Sequence, residues 1–180
     1  MDKTTFKKMT YADYAKIATD GKRHEIIEGE WYMTSVPEVP HQRTSRKLER
    51  ILDEHVTRKW LGEVFHAPID VVLSDEDVVQ PDIVFVSTAR SGIITRKNLQ
   101  GAPDLAIEIL PPSTASIDRG EKRRLYERAG VKEYWIVDLA AQSAEIHVFG
   151  SPRRTSIYTA PQSFQSALLP GLALQLGEIF

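Results

Sequence analysis

The sequence predicts an α/β or α+β domain, a mixed central sheet flanked by helices. Three observations predict it. Apolar residues repeat at spacings of three and four over residues 41–60 and again over 120–129. Leu105–Leu110 is a strand-length apolar run, and 134–138 a nearly all-apolar one, the mark of a strand buried on both faces. Between them the chain reads strand, helix, strand, a crossover unit that sets its two strands parallel.

The elements follow in order. Thr10 can cap a short helix from Tyr11 to about Thr19, with Asp13 in its first turn and Asp20-Gly21 as its stop. Residues 24–27 alternate as a strand, and Glu28-Gly29-Glu30 turns into a second strand over 31–33. Prolines 37 and 40 break the pattern before the basic helix of 41–60, whose apolar stripe is Leu48, Ile51, Leu52 and Val56. A strand over 64–73 carries Pro68 at an edge or bulge, and Ser74-Asp75-Glu76-Asp77 is a turn. Residues 80–86 and Leu105–Leu110 are strands, with a polar stretch between them long enough for a short helix. The helix of 120–129 stops at Gly130, which tolerates a left-handed terminus. The strand 134–138 and a hairpin of 144–149 with 155–159 complete the order.

The chain has 180 residues and no repeat or linker, so it reads as one domain over 1–180 with a core of its own. No cysteine is present, which excludes a disulfide scaffold, a cysteine-ligated zinc and a thiol nucleophile. The first eight residues lack the apolar core of a signal peptide, and no apolar run approaches the roughly 20 residues that span a bilayer. The expected location is the cytoplasm. A net charge of −2 conceals a segregation: residues 41–60 carry six Lys and Arg against three acids, and 119–128 five against two. Residues 63–86 carry six acids and no Lys or Arg. Two basic helices beside an acidic sheet permit phosphate contacts next to a metal site, although two solvated helix faces would look the same.

The informative residues are polar ones at interior positions. Asp82 shares a strand face with Val84 and Val86, and Glu108 sits in the middle of Leu105–Leu110. A lone carboxylate in such a place must be protonated, paired with a cation or bound to a metal. Taken alone, Asp82 is better explained as a turn residue after Pro81; for Glu108 the ordinary account, half of an ion pair or a sheet-edge residue, is the weaker one because its neighbours on both sides are apolar. Lys122 precedes Leu125, Tyr126 and Ala129 by three, four and seven residues, so it lies on the core-facing stripe of its helix. A snorkelling first-turn lysine would be the ordinary account. Two inward carboxylates and an inward ammonium on consecutive elements are harder to explain separately. Carboxylate oxygens on neighbouring strands suit one or two Mg²⁺ ions, with Mn²⁺ an alternative. Such an ion polarises a phosphoryl oxygen and activates water. A lysine beside it can orient the water and stabilise charge on phosphorus; acting as base would need a strongly depressed pKa.

At these residues the chain resembles a known group. Pro81-Asp82 followed by Glu108-Ile109-Leu110 resembles the PD-(D/E)XK nuclease signature. Further segments are similar to the putative restriction endonuclease family within that superfamily. They are residues 23–30, His41, 81–86, 101–110, 112–114, 118–122 and 126–138, in that order and spacing. The resemblance runs from about Tyr11 to Phe149 and implies a restriction-endonuclease-like core, a divalent metal and nuclease chemistry, with DNA the expected substrate. It assigns the metal-binding carboxylates to Asp82 and Glu108, and makes Glu25 a further ligand or water holder. It departs from the superfamily signature at Leu110, where a lysine is expected; in this family the lysine comes from the following helix, at Lys122. Pro111-Pro112 stands where Ser-Pro is usual, and Pro103-Asp104 is a decoy that starts the Glu108 strand.

Other chemistries lack their residues. There is no Gly-x-Ser-x-Gly elbow, no His-x-x-x-His pair and no glycine-rich phosphate loop. His41 reads as a capping or surface residue, and Trp31, Trp60 and Trp135 as core or interface aromatics. The rival reading is a catalytically silent nucleic-acid- or protein-binding module on the same scaffold. A structural oligomer would instead bury the carboxylates in a subunit interface. A homodimer suits duplex cleavage by two sites. The constellation survives only if the fold turns Glu108 and Lys122 toward Asp82.

Overall fold

The structure is a computed structural model that describes residues 8–17, 22–34, 37–110 and 115–180. Thr10 caps the short α1 (Tyr11–Tyr14) in a capping box with Asp13. The chain turns through residue 17; Thr19, Asp20 and Gly21 lie outside the described residues, as do Pro111 to Thr114. Next come β1 (Arg23–Ile27), β2 (Glu30–Thr34), the long α2 (Val39–Arg58), β3 (Gly62–His66), β4 (Val71–Ser74), β5 (Asp77–Val79) and β6 (Ile83–Ser87). A 3₁₀ turn (Thr88–Ile93) leads to β7 (Leu99–Gln100) and β8 (Leu105–Leu110). Then α3 (Ala115–Ile117) passes through a π turn (Asp118–Lys122) into α4 (Arg123–Ala129). The chain ends with β9 (Glu133–Asp138), β10 (Ser143–Val148), β11 (Arg154–Thr159), β12 (Ser163–Gln165), β13 (Ala173–Gln175) and α5 (Leu176–Ile179).

Six strands form a central mixed sheet in the order β11-β10-β9-β8-β6-β3, with β8 and β9 parallel across the helical crossover, as predicted. A second sheet, β2-β1-β5-β4-β7, packs over one face of it. The strand predicted over 64–73 is two strands, β3 and β4, one in each sheet, while that predicted over 80–86 is β6 alone, with β5 of the second sheet just before it. Pro68 and Pro81 mark the crossings, because proline has no N–H for the ladder. Apolar residues on both sides of each break face the shared core, which makes the runs look continuous in sequence.

The strands of the central sheet divide their side chains between two cores. Ile83, Phe85, Ile107, Trp135 and Val137 pack against α2 and the C-terminal segment. Val84, Val86, Ala106, Tyr134 and Ile136 face the second sheet and α4. The closing β12–β13 pair and α5 fall beyond the last predicted strand. Gly130 ends α4 in the left-handed region at φ 91°, as expected. Trp135 is a core residue, whereas Trp31 and Trp60 are exposed.

Candidate active site

Asp82 and Glu108 meet because β6 and β8 run antiparallel with Ile83 opposite Ile107. One step further along the register sets Asp82 opposite Glu108, on the face of Val84 and Ala106 that looks toward the second sheet. The Ile109 amide donates to Asp82 Oδ2 at 2.7 Å and ties the carboxylate to the Glu108 strand. Both acids are buried, at 2% and 4% exposure.

Lys122 completes the group from the opposite layer. Its Nζ lies 2.8 Å from Glu25 Oε2, 3.0 Å from Glu108 Oε1 and 3.4 Å from Asp118 Oδ1. The π turn carries both Asp118 and Lys122 into the interior; such turns are frequent at functional sites. Tyr126, one turn on, donates its hydroxyl to Glu108 Oε1 at 2.9 Å. Glu25, on β1, accepts the Gln80 amide at 2.8 Å, so its second oxygen is fixed as well. The four residues named from the sequence are therefore brought to one place.

Asp82 has its own two holders. Arg23 donates to Oδ1 at 2.6 Å, and His41 Nε2 lies 3.1 Å from Oδ2. An ionised carboxylate only accepts, so His41 carries its proton on Nε2; its Nδ1 is buried without a partner among the described residues. His41 is thus an interior residue of the site rather than a cap or surface group, a correction to the sequence reading. Asp104, the decoy, accepts the Ser87 amide and pairs with Lys132, fastening the start of β8.

Burial alone would raise the Asp82 pKa, but the His41 hydrogen bond, the Arg23 charge and the Ile109 amide hold it below the usual carboxylate range. Glu108 goes the other way. Burial raises it to about 8, assisted by Asp118, Glu25 and Asp82 and opposed by Lys122. Lys122 is held well above its ordinary value: burial favours the neutral amine, but Glu108, Glu25 and Asp118 outweigh it. Its ammonium therefore stays charged, which suits a hydrogen-bond donor and not a base.

The Glu108 shift has a consequence for stability. The folded chain keeps a proton that the unfolded chain releases near 4.5, so between about pH 5 and pH 8 this group makes stability fall as pH rises. Asp82, shifted down, contributes stability at neutral pH that is lost in acid. Glu108→Gln mimics the protonated acid. Melting curves from pH 5 to 9 should show a flatter decline in that variant than in the wild type; equal slopes would place the titration elsewhere.

Four buried carboxylates, Glu25, Asp82, Glu108 and Asp118, face two fixed cations, Arg23 and Lys122. With Glu108 ionised that is a formal deficit of two positive charges, and with its proton kept a deficit of one, among hard oxygen donors, the chemistry a divalent cation satisfies. Among the described residues, no three His, Asp or Glu side chains already surround one point as a formed metal site. Lys122 and Arg23 now hold the acids that would share such an ion.

Asp82 forms part of the floor of a cleft of about 730 Å³. Glu25, Glu108 and Lys122 are not among its lining residues and are all nearly inaccessible. One wall is the start of α2, with Arg43 and Arg46; Lys22, Arg23 and His66 complete the basic rim.

Comparison with family models gives a match over residues 11–177 to Uma2, described as a putative restriction endonuclease. The chain belongs to the Uma2 family. Comparison with curated proteins finds no match. A crystal structure from Anabaena variabilis, described as a putative nuclease belonging to DUF820, matches with a TM-score of 0.82. The match covers 96% of this chain and 97% of that one at 18% identity. That likeness shows the fold, a mixed α+β arrangement close to a nuclease-like one. Among the described residues no helix is long and apolar enough to cross a membrane. In this Uma2 chain, Arg23, His41 and Asp118 are site residues that sequence reasoning passed over. Their signal was periodicity: Arg23 alternates with Glu25, and Asp118 is one turn before Lys122. His41 is three and seven residues before Thr44 and Leu48, which are buried on the same stripe.

Proposed function

We propose that this chain is a metal-dependent endonuclease that hydrolyses phosphodiester bonds in DNA. The observation that carries the reading is the Lys122 ammonium, shared by Glu25 and Glu108 at 2.8 and 3.0 Å, with Asp82 on the adjacent strand at the floor of a basic cleft. Family membership supports nuclease-like chemistry in general. Asp82 and Glu108 would hold a Mg²⁺ or Mn²⁺ ion, which would polarise the phosphoryl oxygen and lower the pKa of bound water. Lys122 keeps its proton and offers it as a hydrogen bond to the attacking water or to a phosphoryl oxygen where charge develops. Glu25 orients that ammonium from the β1 side, and Asp118 from its own helix. Arg23 and His41 fix the Asp82 carboxylate in one rotamer, ionised and aimed. Tyr126 does the same for Glu108.

The test is a panel of Mg²⁺, Mn²⁺, Ca²⁺ and chelator against single- and double-stranded DNA and RNA. Cleavage of DNA in Mg²⁺ or Mn²⁺ and none in chelator is the expected result. No cleavage of any substrate, with no metal binding by calorimetry, would establish the silent binding module instead. Sedimentation of the same preparation reads whether two copies pair, as duplex cleavage by two sites expects.

A further inference from the structure

The cleft above Asp82 has one wall that the catalytic residues do not use. The first turns of α2 present Arg43 and Arg46, both exposed and, among the described residues, in no ion pair. Lys22 and Arg23 face them from the β1 side. The acid on this wall, Glu49, lies 3.6 Å from His66 Nε2. The helix begins at Glu38 with no side-chain cap, so its first amides add positive potential at the same rim. Among the described residues, no Phe, Tyr or Trp lines the cleft. A cleft that read bases on a single strand would need such platforms for stacking.

We propose that this wall is a phosphate-tracking site that seats one sugar–phosphate strand of DNA across Asp82, gripping its backbone and not its bases. The idea rests on the nuclease reading only in taking DNA as the polyanion. Arg43 and Arg46, three residues apart on one helix face, each neutralise one backbone phosphate of the strand that crosses Asp82. Binding is consequently indifferent to sequence and steeply dependent on salt. The strand can come from single-stranded or duplex DNA, and the two sources are separated by experiment.

The experiment is fluorescence anisotropy in chelator, so that nothing is cleaved, with a labelled mixed-sequence DNA of about 16 nucleotides and its duplex. Log affinity is plotted against log salt. Each phosphate contact contributes a slope of about −0.7 on a single strand and −0.9 on a duplex. Arg43→Ala with Arg46→Ala should flatten the slope by about 1.4 on the one or 1.8 on the other, whichever binds. Arg43→Lys with Arg46→Lys should restore it, and an abasic strand of equal length should compete as well as the parent. No binding by the wild type, an unchanged slope in the alanine pair, or failure of the abasic competitor overturns the site. Because cleavage plays no part, an intact slope effect beside a failed metal panel would overturn the nuclease reading and leave the wall standing.

Discussion

Lys122→Met is expected to lower stability by about 3–5 kcal/mol, the usual cost of removing one partner from a buried ion pair. For a chain of this size that is a fall in Tm of about 6–20 °C. The physical cause is specific. Glu25, Glu108 and Asp118 all approach one ammonium, and each is at most 4% exposed. Methionine fills the space but leaves three carboxyls to repel one another in a medium that solvates none of them. They can escape only by taking up protons, so their folded pKa values rise above the unfolded ones. The deficit is then smallest in acid and grows as pH increases toward 8. Lys122→Arg keeps the charge but must fit a larger group into a closed site, at about 1–3 kcal/mol. Urea denaturation at pH 5 and pH 8 separates the three proteins. A methionine variant as stable as wild type at pH 8 would mean that the cluster is not held together by its charge.

The same cluster shows what was legible in advance. The polar residues at interior positions, Asp82, Glu108 and Lys122, were visible because strand and helix periods are short-range and fix which way a side chain faces. The register between β6 and β8 follows once both strands are known to be buried, since a one-residue slip would turn every apolar side chain to the wrong face. His41 and Asp118 obeyed the same helical period and were missed for a different reason. Histidine at a helix start is so commonly a surface group that its stripe position carried little weight. Asp118 stood before the helix as predicted, because the π turn extends it toward the N-terminus.

Tertiary pairing was less legible. Residues 64–73 read like a single strand, yet they are divided between two sheets at Pro68, and β5, just before Pro81, pairs in the other sheet from β6. Local pattern reports burial but not which layer does the burying. That division places the site: Asp82 follows the second crossing directly, where the chain leaves the small sheet and enters the large one. The five-stranded sheet is assembled by pairings between strands far apart in the chain, β1 with β5 and β4 with β7. No local period encodes those contacts.

Asp82→Asn is expected to reduce cleavage by at least about 10²-fold while the protein still folds. The amide is the same shape and can still accept from Ile109 or Arg23, so the strand pairing around it survives. It cannot supply the charge that balances Arg23 and a divalent ion, so metal binding by calorimetry should weaken together with cleavage. Asp82→Ala should match it in activity but lose more stability, because the half-buried Arg23 and the buried His41 then lose their acceptor. His41→Ala gives the informative comparison. As a positioning residue that holds the Asp82 carboxylate, His41 should cost only about 10–100-fold when removed, the usual effect of an outer partner. Rates measured at saturating metal sort the two roles: excess ion rescues a mis-aimed Asp82 in His41→Ala but cannot replace a missing carboxylate. Full cleavage by Asp82→Asn would remove this residue from the chemistry. Equal, unrescued losses in both variants would make His41 a participant in the reaction rather than a positioning residue.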